Sequence, residues 1–385
     1  MLSDSQLQVI RSRFRIFDKK IYLNSCSQGA LSDAVEASVI EHLRSWHEGG
    51  SPWDLWVKKY EEARSQFARL IGAEPDEIAV VPSASAGINS VASALDFQDR
   101  KKVVLGEFEF PTMGHVWLAQ QKRGAQLAYL AAENERIPTE SYARAVDSHT
   151  AIVPVTHVCF MNGFRSNVAE IAKVAHAKGA LVFMDDYQDC GTRPIDVKAL
   201  DVDFYVAGTL KYLLASSGVA FLYVRKSLIS SMSPTISGWF AQRNPFAFDV
   251  KHLEYSPSAR RFEAGTPPIP NIYAAMAGMG ILEEIGLTQV APQIRKLAQM
   301  LIEGARELGI HVKTPTDSAG PLVVLQSKNV EAVLARLGEE NIFGSGRHDG
   351  LRISFHVYNN SDDVRAVLRV LEKHSDLMVR ETQAV

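Results

Sequence analysis

In the stretch GTLKYLLASSGVAFLYV, residues 208–224, one lysine, Lys211, stands among small and apolar residues just ahead of Gly218–Val224, a run that reads as a buried strand. Desolvating an ammonium is costly unless the group is paired or put to chemical use. Twenty-six residues earlier the apolar run GALVFMDDYQ reaches Asp185, with Gln188 shortly after it. An amine and a carboxylate at nearby strand ends have a joint chemistry. A lysine amine forms a Schiff base with the aldehyde of pyridoxal phosphate, and an aspartate beside the pyridine nitrogen keeps that ring protonated as an electron sink. The phosphate of such a cofactor calls for a helix N-terminus preceded by small hydrogen-bonding residues. VVPSASAGINSVASAL supplies one, with a strand to Val81, a turn of Pro82, Ser83, Ala84 and Ser85, and a helix from about Ala86. Each signal alone is common for structural reasons. Their order along the chain, phosphate turn, then aspartate, then lysine, is much more specific.

The elements that must position these residues follow from apolar runs of strand length alternating with helical periodicity, the pattern of parallel βαβ units. Strands are expected at Glu77–Val81, Lys102–Leu105, Gln126–Leu130, Ala151–Val155, Ala180–Met184, Phe204–Ala207 and Val219–Val224. Between two of them Val168, Ile171, Ala172 and Ala175 have helical spacing, opened by Asn167 with Glu170 in capping-box position. Past residue 270 the texture changes. Helical stretches at Asn271–Gly286 and Gln293–Leu308 lead into short strands, a helix near Val330–Leu337, a strand at Leu351–Phe355 and a last helix with Val364, Val367, Leu368 and Leu371 on one face. The expected class is α/β, a large domain with a mostly parallel seven-stranded sheet over residues 18–270, plus a smaller α+β domain from residues 1–17 and 271–385. The segment SPTISGWFAQRNPFAFD, residues 233–249, reads as a long loop of the kind found at active sites.

Composition narrows the partners. With 385 residues, 46% hydrophobic, 22% charged and a formal net charge of −3, the chain gives no reason to expect nucleic acid or a membrane surface. The opening MLSDSQLQVIRSRF lacks the apolar core of a signal peptide, and no apolar run approaches a membrane span. A cytoplasmic protein with a small-molecule substrate is expected. Three scattered cysteines, Cys26, Cys159 and Cys190, suggest neither disulfides nor a zinc site, and no metal is expected. No strand is followed by G-x-G-x-x-G, which argues against a nucleotide-binding dehydrogenase. A silent scaffold of the same fold would more readily have lost Lys211 or Asp185.

FMDDYQDCGTRPIDVKALDVDFYVAGTLKYLL resembles the Asp-x-x-Gln … Lys segment of the class V aminotransferases, fold-type-I pyridoxal-phosphate enzymes that include cysteine desulfurases, kynureninases and isopenicillin-N-epimerase-like proteins. The resemblance runs from YLNSCSQGAL to LRISFHVYNNSDDV. It implies Lys211 as the Schiff-base lysine, Asp185 at the pyridine nitrogen, Gln188 at the phenolic oxygen, and Ser83, Ala84 and Ser85 at the phosphate. Thr266 in FEAGTPPIPN would reach the phosphate of the neighbouring subunit, which implies a homodimer. EFEFPTMGHVW resembles the kynureninase segment whose Phe stacks on the ring, so Phe110 is the stacking candidate. Arg352 matches the family's carboxylate-binding arginine, suited to a planar carboxylate; its bland reading is a surface ion pair. Arg347, with His348, would meet a second acidic group. Asn24 and Ser25 resemble residues that approach the substrate, and Asn162 would approach the ring oxygen, although it sits two positions later than the desulfurase asparagine. Trp239 has two readings, lining the site or anchoring its loop. His115 and His157 read as structural. Leu210 replaces the His that precedes the lysine in many members. No cysteine stands in FGSGRHDGLRISFH, where desulfurases carry their nucleophile, so desulfurase activity is disfavoured. The implied reaction passes through an external aldimine with Lys211 as general base. Aminotransferase ranks first, then a β-lyase or kynureninase-like hydrolase, then an epimerase.

Overall fold

The computed structural model describes residues 2–381; residue 1 and residues 382–385, the outer ends of the expected smaller unit, lie outside the described residues. Helices α1 (Asp33–Gly49) and α2 (Trp53–Leu70) precede β1 (Ile78–Val81), α3 (Ala84–Ala94), β2 (Lys102–Gly106), α4 (Pro111–Ala119), β3 (Gln126–Leu130), β4 (Thr150–Thr156), α5 (Val168–His176), β5 (Leu181–Asp185), β6 (Phe204–Gly208) and β7 (Ala220–Val224). These strands form one sheet in the order β1-β7-β6-β5-β4-β2-β3. Only β7 runs against its neighbours, antiparallel to both β1 and β6. Apolar side chains alternate between two cores, Val182 and Met184 of β5 packing with Ile171 and Phe67 on one face, and Phe183 with Ile88 and Trp117 on the other. Cover on both faces explains why these strands, apart from the partly exposed edge strand β3, read as continuous apolar runs.

The parallel direction puts Gly106, Thr156, Asp185 and Gly208 at one edge of the sheet, the end where open α/β sheets bind ligands. Asn167 caps α5 by accepting from the Glu170 amide. Helix α3 starts at Ala84, two residues earlier than expected, because Ser83 closes the first turn by accepting from the Ala86 amide at 3.1 Å. The segment 209–219 links two adjacent strands whose ends pair at Gly208 and Ala220. It is held across its base by Thr209 N to Val219 O, Ala215 N to Thr209 O and Thr209 Oγ1 to Ser216 O.

Helices α6 (Ile269–Ile285) and α7 (Leu287–Glu307) follow. The first ends at Ile285 with Gly286 as its cap, where a φ of +85° suits glycine; the second starts at Leu287, earlier than the expected Gln293, and runs through Pro292. Strand β8 (Leu322–Gln326), α8 (Val330–Glu339), β9 (Ser345–Arg347), β10 (Gly350–Ser354) and α9 (Ser361–Lys373) complete the described chain, with an antiparallel sheet in the order β9-β10-β8. The N-terminal segment joins this end of the molecule: Ile21–Tyr22 pairs in parallel with Ile342–Phe343, and Asn24 bridges to Ser354. No helix among the described residues is long and apolar enough to cross a membrane.

A buried ion pair ties the strand that leads into the Ser83 turn to the segment carrying Thr266. Arg64 of α2 donates to Glu263 at 2.6 Å and to the Ile78 carbonyl, and Glu263 also accepts from the Val80 amide at 3.0 Å. Removing one partner strands the other charge out of water. Arg64→Ala is expected to lower unfolding stability by about 3–5 kcal/mol in chemical denaturation. The double replacement Arg64→Met with Glu263→Leu should recover only part of that loss, because it also leaves the buried Val80 amide and Ile78 carbonyl without these partners.

Candidate active site

Nine of the expected site residues, Ser83, Ala84, Ser85, Phe110, Asp185, Gln188, Lys211, Arg347 and Arg352, line one cavity of about 360 Å³ at the carboxyl edge of the sheet. Lys211 enters from the loop between β6 and β7. Burial pushes its amine down to about 8, with Cys26 and Asp185 opposing the shift and Arg352 and Arg347 assisting it. Among the described residues no carboxylate lies within ion-pair distance; the amine sits 4.5 Å over the face of Tyr187 and 5.7 Å over that of Phe110. Asp185 closes β5. Burial raises its carboxyl to about 6 against the pull of the Tyr187 amide, which donates to Oδ1 at 3.0 Å, and of Lys211. Gln188 donates from Nε2 to the Cys26 carbonyl at 3.1 Å and keeps a buried Oε1 with no partner among the described residues.

At one end of the cavity the N-terminus of α3 carries Ser83, Ala84 and Ser85, with Ser85 Oγ 3.1 Å from Thr112 Oγ1. Two hydroxyl groups at the positive end of a helix suit an anion. At another side Arg352 is 1% exposed. It donates to the Phe160 carbonyl at 3.1 Å, to Ser27 Oγ at 2.9 Å and to Ser345 Oγ at 3.0 Å, while its buried Nε has no partner among the described residues. All three acceptors are neutral. The surface ion pair that a lone arginine suggests is not what this residue makes.

The other expected residues are occupied elsewhere. Ser25 Oγ is 2.6 Å from the Tyr358 hydroxyl, away from the cavity lining. Asn24 is buried in the bridge to Ser354. Asn162 donates to the Glu135 carbonyl and carboxylate and accepts from the Phe164 amide, which consumes its amide in a turn at Gly163. Trp239 packs on Phe240, Phe246 and Phe248, so of its two readings the geometry matches the loop anchor. Thr266 is exposed outside the cavity, as are His115 and His348. His157 is buried with Nδ1 2.6 Å from Asp186 Oδ1 and 3.6 Å from Asp189 Oδ2. These three could hold an ion, but Tyr205 donates to Asp186, and Arg165 and Thr192 engage Asp189, so the cluster reads as a charge network under Asp185.

Several wall residues escaped sequence reasoning: Cys26, Ser27, Thr112, Thr156, Phe160 and Tyr187. Ser27 carried a signal, since it stands beside Asn24 and Ser25 in the same short segment. Phe160 stands two positions before Asn162, where alignment on Gly163 puts the desulfurase asparagine, and it packs edge-on against Phe110 at 5.1 Å. Behind the wall Glu109 accepts from Thr156 N at 3.0 Å and from Thr156 Oγ1 at 2.6 Å, and Thr156 pairs in register with Asp185. Burial drives the Glu109 carboxyl up to about 7; the Thr156 bonds oppose the shift and the charge of Asp185 adds to it.

Comparison with known proteins places this geometry. The family model described as Aminotransferase class-V matches residues 45–367. The uncharacterized aminotransferase YcbU of Bacillus subtilis (strain 168) is 34% identical over 356 residues, covering 92% of this chain and 94% of that protein. The apo structure of a cysteine desulfurase from Thermococcus onnurineus NA1 superposes with a TM-score of 0.87 at 25% identity, covering 96% of this chain and 98% of that one. A lysine-to-alanine variant of C-DES, with glycine covalently linked to its pyridoxal-phosphate cofactor, shares the fold with a TM-score of 0.87 at 19% identity, covering 94% of this chain and 98% of that one.

Because the folded protein holds Glu109 protonated to higher pH than the unfolded chain does, stability is lost as pH rises from about 4.5 to about 7. Cofactor-free Glu109→Gln is therefore expected to gain on the parent protein through that window, by on the order of 1–3 kcal/mol at pH 8. Thermal or denaturant unfolding at pH 4 and pH 8 measures it; a difference that does not change between the two contradicts the assigned titration.

Proposed function

Since the chain belongs to the class V aminotransferase family and is a pyridoxal-phosphate-dependent enzyme, we propose that it is an aminotransferase whose amino-acid substrate is gripped by Arg352 while Lys211 carries the proton. The residues present suit the cofactor: a helix N-terminus with two serines for a phosphate, a buried Gln188 oxygen without a partner, and a carboxylate raised towards neutrality at a strand end. Pyridoxal phosphate, when bound, supplies an aldehyde that condenses with amines and a pyridinium ring that accepts electrons. Lys211 would hold it covalently, Asp185 would pair with the ring nitrogen, Gln188 would face the phenolic oxygen, Phe110 would cover the ring, and Ser83, Ala84 and Ser85 would receive the phosphate.

The observation that carries the reading is Arg352, a guanidinium shut from water with only neutral acceptors, in the same cavity as the one lysine of the lining. Such a charge lacks a counter-ion until a carboxylate arrives, and the planar fork favours a bidentate one. With its amine brought down to about 8, Lys211 exchanges protons near neutral pH. Transamination needs no second proton carrier. The side chain of Arg347, at the mouth, bonds only to the Gly346 carbonyl among the described residues and is placed to meet a second acidic group.

The assembly proposed is a homodimer with Thr266 reaching the partner's site. Exposed apolar side chains support it: Ile40, Leu43 and Trp46 on α1, and Phe246, Phe248 and Val250 on the long loop. A second chemistry, β-elimination or sulfur transfer from cysteine, is favoured by one observation, the Cys26 thiol in the cavity wall. Against desulfurase activity, Cys26 is buried beside Tyr212, Leu322 and Val324 and lies 3.7 Å from Ser345 Oγ.

Purified protein loaded with pyridoxal phosphate should convert 2-oxoglutarate or pyruvate to the corresponding amino acid with at least one donor from an amino-acid panel. Lys211→Ala should lose at least about a thousand-fold in turnover. Arg352→Ala should lose about a hundred-fold in kcat/KM, mostly through KM. Either of two outcomes, unaccompanied by amino transfer, would replace this reading with the second: alanine from cysteine with sulfide appearing once a thiol reductant is added and lost in Cys26→Ser, or pyruvate, ammonia and sulfide from cysteine by β-elimination.

A further inference from the structure

Tyr187 sits between Asp185 and Gln188, yet no part assigned above uses its ring. Its amide fixes Asp185 Oδ1. The ring fills a notch at the end of β6. A Cβ built on Gly208 would come within 2.2 Å of Tyr187 Cζ and Oη and 2.3 Å of Cε2. Gly208 lies inside an extended strand and has no positive φ, so space rather than backbone freedom requires glycine there. Lys211 follows three residues later, and its amine lies over two ring faces, Tyr187 at 4.5 Å and Phe110 at 5.7 Å. The two rings come from different strand ends, Phe110 after β2 and Tyr187 after β5. Phe110 packs edge-on against Phe160. The Tyr187 hydroxyl makes no hydrogen bond among the described residues, and burial, with Asp185 adding to it, pushes its proton affinity up to about 12, so the ring stays neutral.

We propose that Tyr187, seated in the notch of Gly208, is a second aromatic wall of the cofactor site beside Phe110, positioning the Lys211 amine and the cofactor it holds. The proposal rests on the reading that Lys211 carries the cofactor. A ring face attracts a nearby ammonium, and an aromatic wall excludes water from the bond the amine makes. The ring, not the hydroxyl, is the working part, and Gly208 matters only because Tyr187 needs its space.

Equilibrium binding of pyridoxal phosphate and the visible circular dichroism of the bound cofactor test this without measuring turnover. Tyr187→Ala is expected to weaken binding about ten-fold and to change the dichroic band. Tyr187→Phe should stay within about two-fold of the parent with its band intact. Gly208→Ala should match Tyr187→Ala, because the new side chain displaces the ring. The double variant Tyr187→Ala with Gly208→Ala should be no worse than either single change, the signature of one shared interaction. Cofactor-free melting within a few degrees of the parent separates a site effect from misfolding, and Tyr187→Leu serves where the alanine variant fails that control. Parent-like binding and dichroism in Tyr187→Ala or Tyr187→Leu overturn the proposal, as do additive losses in the double variant. If Tyr187→Phe fails like the alanine variant, the ring assignment is wrong and the hydroxyl is the functional group. A parent protein whose cofactor spectrum is unchanged by Lys211→Ala would instead refute the Lys211 reading on which the proposal rests.

Discussion

Arg352 brings a full positive charge to a place that water barely reaches, and the protein meets it with three neutral oxygens. Each comes from a different part of the chain: Ser27 from the N-terminal segment, Phe160 from the turn after β4, and Ser345 from the strand beside Arg352 itself. Desolvating a guanidinium without a counter-ion is unfavourable, and neutral hydrogen bonds offset only part of it. The same bonds gather the large sheet, the small sheet and the N-terminal segment around one cavity. The cost of the unpaired charge and the closing of the site are thus one arrangement, relieved when an anion enters.

A second layer of tension surrounds Lys211. Burial disfavours charge on its amine and on the carboxyls of Asp185 and Glu109, so all three shift towards neutrality from opposite sides. Among the described residues none is locked by a close ion pair. This contrasts with Arg64 and Glu263, whose direct bond belongs to the architecture of the same sheet. Groups that must exchange protons are kept apart; groups that only hold strands together are paired.

How much was legible follows from the range of the interactions. Six strands were readable because two-sided burial demands unbroken apolar runs, the edge strand β3 because of its short apolar run alone, and α5 because Asn167 and Glu170 act locally. Asp185, Gln188 and Lys211 were readable because strand ends in a parallel sheet converge. The long-range choices were not: whether Ser25 or Ser27 turned to the cavity depended on Tyr358, some 330 residues away, which takes the Ser25 hydroxyl. Asn162 was claimed by Glu135, and Phe160 took the wall. Helix α7 begins at Leu287, ahead of the expected Gln293, because Pro292 reads as a boundary in sequence yet is carried inside the helix. Tyr187 stood in plain view inside the quoted motif, but its importance appears only beside Gly208.

The reversed strand β7 gives the lysine segment an unusual footing. A loop between parallel neighbours would have had to travel the length of the sheet through a crossover. Here residues 209–219 leave and re-enter at directly paired positions, stitched together at the base. The backbone beneath Lys211 is therefore a fixed pivot, and the excursion of its amine is set by the four-carbon stem of the side chain rather than by any swinging of the loop. A reactive group mounted this way works as a short arm on a rigid bracket, returning to the same point after each stroke.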